Sequence, residues 1–275
     1  MSAARSATFS EAPAIAHLRD GPVRYTLRRS TRARAIRVVL HPDARGVVVT
    51  VPGSRVGEVE AERRAVAFLR DREPWLRRHL RTQAATRARI AARGGARDGG
   101  VVPYLGRLHR IRVVPAVVGQ LRSGVVAFDG EDGRPDELVI HRVDRDRRPD
   151  ASILEAWFRE RAMEAISTAI DRHLVALGVP RPVFALRDPR ARWGSASPEG
   201  RLSFSWRLIL APPAALDTVV VHELAHLRAF GHGPRFWAIV ASRRPDHAIW
   251  RRWLHDHSAD LHAALELPAG APGPA

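Results

Sequence analysis

Two histidines four residues apart, with a glutamate between them, are the residues of this sequence best suited to chemistry. They lie in the run His222-Glu223-Leu224-Ala225-His226. Residues four apart lie on the same side of a helix, so both imidazoles can bind one Zn²⁺ ion. Glu223 is turned about 100° away from His222 around the helix axis. We therefore expect Glu223 to hold a metal-bound water rather than the metal itself.

Zinc bound by these histidines would favour the hydrolysis of a peptide bond. It would lower the pKa of a bound water to about 7. Glu223, as general base, would accept the proton of this water as the hydroxide attacks a carbonyl carbon. The motif thus predicts Glu223 as the catalytic residue.

A third ligand is needed to hold a catalytic zinc ion and leave one position open. The sequence contains no cysteine, so the ligands must be His, Asp or Glu. His232 directly follows Gly231, and a glycine in the left-handed conformation can turn the next side chain back toward the first two histidines. Asp246 and Glu266, further along the chain, remain alternatives because zinc is often bound by two histidines and a carboxylate.

The elements that position these residues follow from the patterns on either side. Pro212 and Pro213 mark the start of the metal helix, which we predict to run to Gly231, and two further helices follow. Residues 201–210 alternate between apolar and polar side chains, which predicts a half-buried strand. We expect this strand to border the active site and to pair with an extended substrate.

The N-terminal half shows a different pattern. Short alternating segments in residues 23–52 and 105–143 predict a mostly antiparallel sheet. Between them, residues 56–90 predict one long basic helix. The chain is therefore expected to have an α+β fold, with a β-rich N-terminal half and the HExxH helix in the C-terminal half.

Arginine dominates the charge of the chain. All 45 basic residues are arginines, against 29 acidic residues, for a net charge of +16. Residues 1–150 contain 30 arginines and 17 acidic residues, which places +13 in this half. Either coding bias or attraction to a polyanion such as nucleic acid would explain this excess.

A longer stretch around the motif resembles a known family. RARWGSASPEGRLSFSWRLILAPPAALDTVVVHELAHLRAFGHGPRFWAIV is similar to the YgjP-like metallopeptidases, which are relatives of the SprT and Spartan proteases. The resemblance covers residues 21–262 and implies a zincin-like core, with zinc held by His222, His226 and His232 and with Glu223 as the base. One departure is Ala196, where many relatives have cysteine.

Together these patterns predict four segments: a disordered N-terminus (1–20), a β-rich basic accessory region (21–148), a zincin-like metallopeptidase domain (149–267) and a disordered tail (268–275). We expect a zinc-dependent peptidase that acts on proteins or peptides. The alternatives are a nucleic-acid-associated protease that cleaves DNA-bound proteins and a non-catalytic zinc-binding structural protein. The sequence shows no signal peptide or membrane-spanning stretch, so we expect a cytoplasmic protein without a membrane partner.

Overall fold

A computed structural model describes residues 9–40, 46–53, 57–130 and 135–267. In these residues the chain has a mixed α+β fold with six α-helices and three β-sheets. It divides into two compact units, one up to Ala88 and one from Arg89 onward. The boundary predicted after residue 148 lies inside the second unit, and the predicted tail (268–275) lies outside the described residues. None of the described helices combines the length and the apolar composition that a membrane span requires.

The first unit contains a four-stranded sheet in the order β1-β2-β4-β3. Its two central strands are parallel to each other, and each edge strand is antiparallel to its neighbour. The strands are β1 (Phe9–Leu18), β2 (Gly21–Ser30), β3 (Arg37–Leu40) and β4 (Val47–Pro52). Alternate residues of the strands form a core with the following helix, among them Val23, Tyr25, Leu27, Val49 and Val51.

Strand β1 corrects the prediction that the chain is disordered up to residue 20. Its whole length pairs with β2, from Phe9 opposite Ser30 to Leu18 opposite Gly21. Its sequence contains Pro13 and several alanines, which are poor strand formers. The pairing with β2 and the burial of Ala16 and Leu18 outweigh this weak local preference.

The predicted long helix is in fact two helices. They are α1 (Glu58–Asp71) and α2 (Glu73–Ala92), separated at Arg72; Val56, the predicted first residue, lies outside the described residues. Pro74 explains the break because it has no N–H to donate and its ring would clash with the carbonyl of Arg70 in a continuous helix. Helix α1 buries Ala61, Ala65 and Leu69 in the core of the first unit.

The second unit opens with a sheet of the same design as the first. Its order is β5-β6-β8-β7, again with a parallel central pair and antiparallel edges. Two of the three pairings in each sheet are antiparallel, which agrees with the expectation of a mostly antiparallel sheet. The parallel central pair was not expected, since alternation reveals a strand but not its direction. The strands are β5 (Val101–Tyr104), β6 (Arg107–Pro115), β7 (Gly124–Phe128) and β8 (Glu137–Arg142).

Helix α3 (Asp150–Leu177) runs through the core of the second unit. It ends at Gly178, whose φ of 60° lies in the left-handed region that favours glycine. A three-stranded sheet and three helices follow. They are β9 (Phe184–Arg187), β10 (Gly194–Ala196), β11 (Leu202–Ser205), α4 (Pro213–His226), α5 (Pro234–Arg243) and α6 (His247–His262).

The strand predicted at residues 201–210 is shorter and lies elsewhere in the sheet than expected. It ends at Ser205, whose hydroxyl accepts a hydrogen bond from the backbone N–H of Arg207 and so starts a 3-10 helix (Trp206–Leu210). The sheet order is β10-β11-β9, so β11 is paired on both sides. The prediction that this strand pairs with substrate is therefore wrong. Among the described strands, the one that lies near helix α4 and has an unpaired edge is β10.

Candidate metal centre

Helix α4 carries the first two candidate ligands on its last turn. The chain enters this helix at Pro213, and nearly every side chain from Ala215 to Ala225 is buried. His222 and His226 lie on the same side, with ring centroids 5.0 Å apart. The helix ends at His226 and not at Gly231 as predicted, which leaves five residues for the chain to turn back.

His232 completes a cluster of three imidazoles. Gly231 has a φ of 80°, as the predicted chain reversal requires. The ring of His232 lies 5.1 Å from that of His222 and 4.9 Å from that of His226. The Nε2 atoms of His232 and His222 are 3.1 Å apart, and one ligand atom from each histidine lies within 4.8 Å of the others. Two nitrogens on a tetrahedral zinc ion are about 3.3 Å apart, so these residues fit the metal.

The alternative third ligands are not part of this cluster. The carboxylate of Asp246 accepts hydrogen bonds from the indole of Trp250 at 2.6 Å and from Arg244 at 2.9 Å. Neither Asp246 nor Glu266 belongs to a group of potential ligands within the described residues. Of the three candidates, the structure brings only His232 to the helix histidines.

A second group of potential ligands contains His109, Asp129 and Asp136. The positive charge near these carboxylates is that of Arg107, whose guanidinium is 2.8 Å from Asp136 and 3.8 Å from Asp129. Asp136 also accepts the backbone N–H of Gly130. We therefore interpret this group as an ion pair and not as a metal site.

Two aromatic residues of α5 pack against the imidazole cluster. Phe236 is 1% exposed, and its ring lies 4.4 to 4.8 Å from the rings of all three histidines. Trp237 lies 5.7 Å from His222 and from His232. Through these contacts, the start of α5 packs against the residues that carry the candidate ligands.

Burial keeps the imidazoles of α4 neutral. It lowers the pKa of His222 to about 3, with a smaller contribution from the neighbouring His226 and His232. Burial also lowers the pKa of His226. A neutral imidazole has a free lone pair, which is the form that binds a metal ion.

Glu223 lies beside the cluster but outside it. It is 5% exposed, and burial raises its pKa to about 7, opposed in part by the positive charge of Arg192. Its side chain packs directly against Gly194 of β10, where a Cβ atom would come within 2.6 Å of Oε1. The sequence does not predict this contact, since nothing in the local pattern shows which residue faces the glycine.

Three clustered imidazoles and a separate buried carboxylate are the kind of residues from which metal-dependent hydrolases build their sites. Residues 36–257 match the family described as YgjP-like, metallopeptidase domain. The match spans most of the chain, and the protein belongs to this family.

Other comparisons add one structural relative. The crystal structure of the metallopeptidase zymogen abylysin from Pyrococcus abyssi is 21% identical, with a TM-score of 0.31. The matched region covers 33% of this chain and 92% of that one. No curated protein sequence matches this chain at a significant level.

Proposed function

We propose that this protein is a zinc-dependent peptidase with a zincin-like catalytic core. The observation that carries the proposal is the convergence of His222, His226 and His232 beside the buried carboxylate of Glu223. The three histidines would hold the metal. Zinc bound by three histidines polarises carbonyl oxygens and makes water acidic enough to attack at neutral pH.

Glu223 is the general base in this proposal. Its position in α4, next to His222 but outside the ligand group, leaves the carboxylate free to accept a proton from the attacking water. The same carboxyl group then donates this proton to the amine that leaves. Because Gly194 lies against its side chain, the carboxylate has little freedom to turn away.

Strand β10 is the proposed binding edge for a protein or peptide substrate. One of its edges pairs with β11, and within the described residues no strand pairs with the other. An extended peptide could add to this free edge through backbone hydrogen bonds, which tolerate many side chains. The peptide would then lie close to Glu223, because Gly194 belongs to the same strand.

The decisive experiment compares the wild type with Glu223→Gln. Metal content and cleavage of an unfolded test protein are measured on the same preparations. We expect one zinc ion per chain in both proteins and cleavage only by the wild type. Zinc in both without cleavage by either would favour the non-catalytic structural alternative, and a wild type without zinc would refute the proposal.

A second candidate function, supported by the distribution of arginines, is proteolysis of nucleic-acid-bound proteins. Helix α2 has Glu73 as its one acidic residue and exposes Arg78, Arg81 and Arg87, none of which has an ion-pair partner among the described residues. Unpaired guanidinium groups on one helix can bind phosphates without reading sequence. This surface would dock the peptidase on DNA, as the resemblance to Spartan relatives suggests.

A further inference from the structure

A buried carboxylate on the metal helix lies at the centre of a hydrogen-bonded network. Asp217 belongs to α4 and is 6% exposed. One of its oxygens accepts a hydrogen bond from His173 of α3 at 2.9 Å and from Arg172 at 3.2 Å. The other oxygen accepts from Arg244 at 3.0 Å. Both oxygens of this buried charge are therefore used.

Arg244 connects this carboxylate to the end of α5. It directly follows the last residue of that helix, and its second terminal nitrogen donates to Asp246 at 2.9 Å, just before α6. The preceding Arg243 donates from Nε to Nδ1 of His173 at 3.3 Å. Since Nδ1 of His173 accepts this hydrogen bond, its N–H must be at Nε2, which is the atom that faces Asp217. The hydrogen bonds to Arg243 and to Asp217 can therefore form together. The C-terminal end of α5 is thus tied to α3, α4 and α6.

The opposite, N-terminal end of α5 lies against the metal centre. Phe236 and Trp237 pack against the imidazoles there, and His232 lies two residues before the helix starts at Pro234. A helix of 10 residues is a rod about 15 Å long. Moving its anchored C-terminal end would therefore shift the two aromatic rings and His232 with respect to α4.

We propose that Asp217 and Arg244 are positioning residues that hold His232 close enough to His222 and His226 for all three to bind one metal ion. This inference rests on the proposed zinc site. Buried ion pairs contribute little net stability compared with apolar side chains of similar size. They favour one geometry, because moving the two groups apart would leave a buried charge without a partner. Replacing a residue that supports a metal ligand without touching the metal commonly weakens metal affinity by roughly 10- to 100-fold.

The test exploits two arginines that share the carboxylate of Asp217. Arg244 connects it to α5, whereas Arg172 lies on α3 with a side chain that is 59% exposed. Zinc dissociation constants are measured by competition with a chelator for the full-length wild type, Arg244→Met and Arg172→Ala. We expect about 10- to 100-fold weaker binding for Arg244→Met and a change of less than about 2-fold for Arg172→Ala.

A double-mutant cycle separates positioning from general damage. The Arg244→Met change is repeated in a His232→Ala background, where no third histidine remains to be positioned. We expect it to have no further effect on zinc affinity there, and an equal loss in both backgrounds would overturn the inference. Asp217→Asn, which keeps the shape of the side chain, is measured alongside in case Arg244→Met does not fold. It should show a smaller loss that also disappears in the His232→Ala background.

The outcomes distinguish this inference from the proposed function. If the wild type binds zinc and Arg244→Met binds it equally well, the positioning role is wrong and the peptidase proposal stands. If the wild type binds no zinc, the proposed function fails, and this inference fails with it. Circular dichroism of every variant checks that the comparison is made between folded proteins.

Discussion

Gly194 lies so close to Glu223 that no side chain fits between them. A Cβ atom at residue 194 would lie 2.6 Å from Oε1, 2.7 Å from Cγ and 2.9 Å from Cδ of the glutamate. Real Cβ atoms do not approach other atoms this closely, so even alanine would displace the carboxylate. This contact between an edge strand and the metal helix sets where the proposed base can lie.

We predict that Gly194→Ala lowers kcat by at least about 10-fold while zinc binding remains, because the three atoms nearest to the added Cβ all belong to the proposed base and none to a histidine. Steady-state kinetics on a peptide substrate and metal analysis measure the two effects. Gly124→Ala is the matched control, since this glycine also lies in a strand but has its nearest neighbour at 3.5 Å. Normal kcat in Gly194→Ala would show that the carboxylate can move without consequence.

We predict that His232→Ala binds zinc at least about 10-fold more weakly, because two of three ligands remain, and that it stays folded, because the core of the second unit does not depend on this exposed residue. Chelator competition and circular dichroism measure affinity and folding. His255→Ala, which removes an exposed imidazole on α6, should leave zinc affinity unchanged. Full affinity in His232→Ala would bring Asp246 or Glu266 back as third ligand.

We predict that Phe236→Ala lowers the free energy of unfolding by about 3 to 5 kcal/mol, since the ring is 1% exposed and its removal leaves a cavity. Urea denaturation measures the change. Phe230→Ala removes the same side chain from a site that is 70% exposed and should change stability by no more than about 0.5 kcal/mol. Equal effects of the two substitutions would mean that Phe236 does not hold the α4–α5 contact together.

We predict that DNA binding by this protein depends on the exposed arginines of α2. Replacing Arg78, Arg81 and Arg87 by alanine should weaken binding at every sequence tested and reduce the slope of log K against log salt by about 0.9 for each phosphate that is no longer neutralised. Titrations of a DNA duplex at two salt concentrations measure this. Replacement of three exposed arginines of the second unit, Arg187, Arg201 and Arg235, is the control. Equal slopes for both triple variants would show that the arginines of α2 have no special role in DNA binding.

The sequence by itself determined the chemistry of the proposed site. The spacing of His222 and His226 places two imidazoles on one side of any helix, and Gly231 marks a reversal before His232. The stop of α3 at Gly178 and the existence of most strands also follow from local patterns. These features depend on residues close together in the chain, so periodicity and turn chemistry are enough to predict them.

Tertiary structure decided which elements become neighbours. Strand β1 exists because β2 pairs with it, and β11 lies in the centre of its sheet because β9 and β10 add to either side. Gly194 faces Glu223, and Asp217 meets Arg244, across 29 and 27 residues of chain respectively. Asp217 did carry a signal, since it is a lone carboxylate in the apolar part of α4, but its partners are visible only in the folded chain. Contacts over such separations depend on packing of whole elements, which no local pattern of residues records.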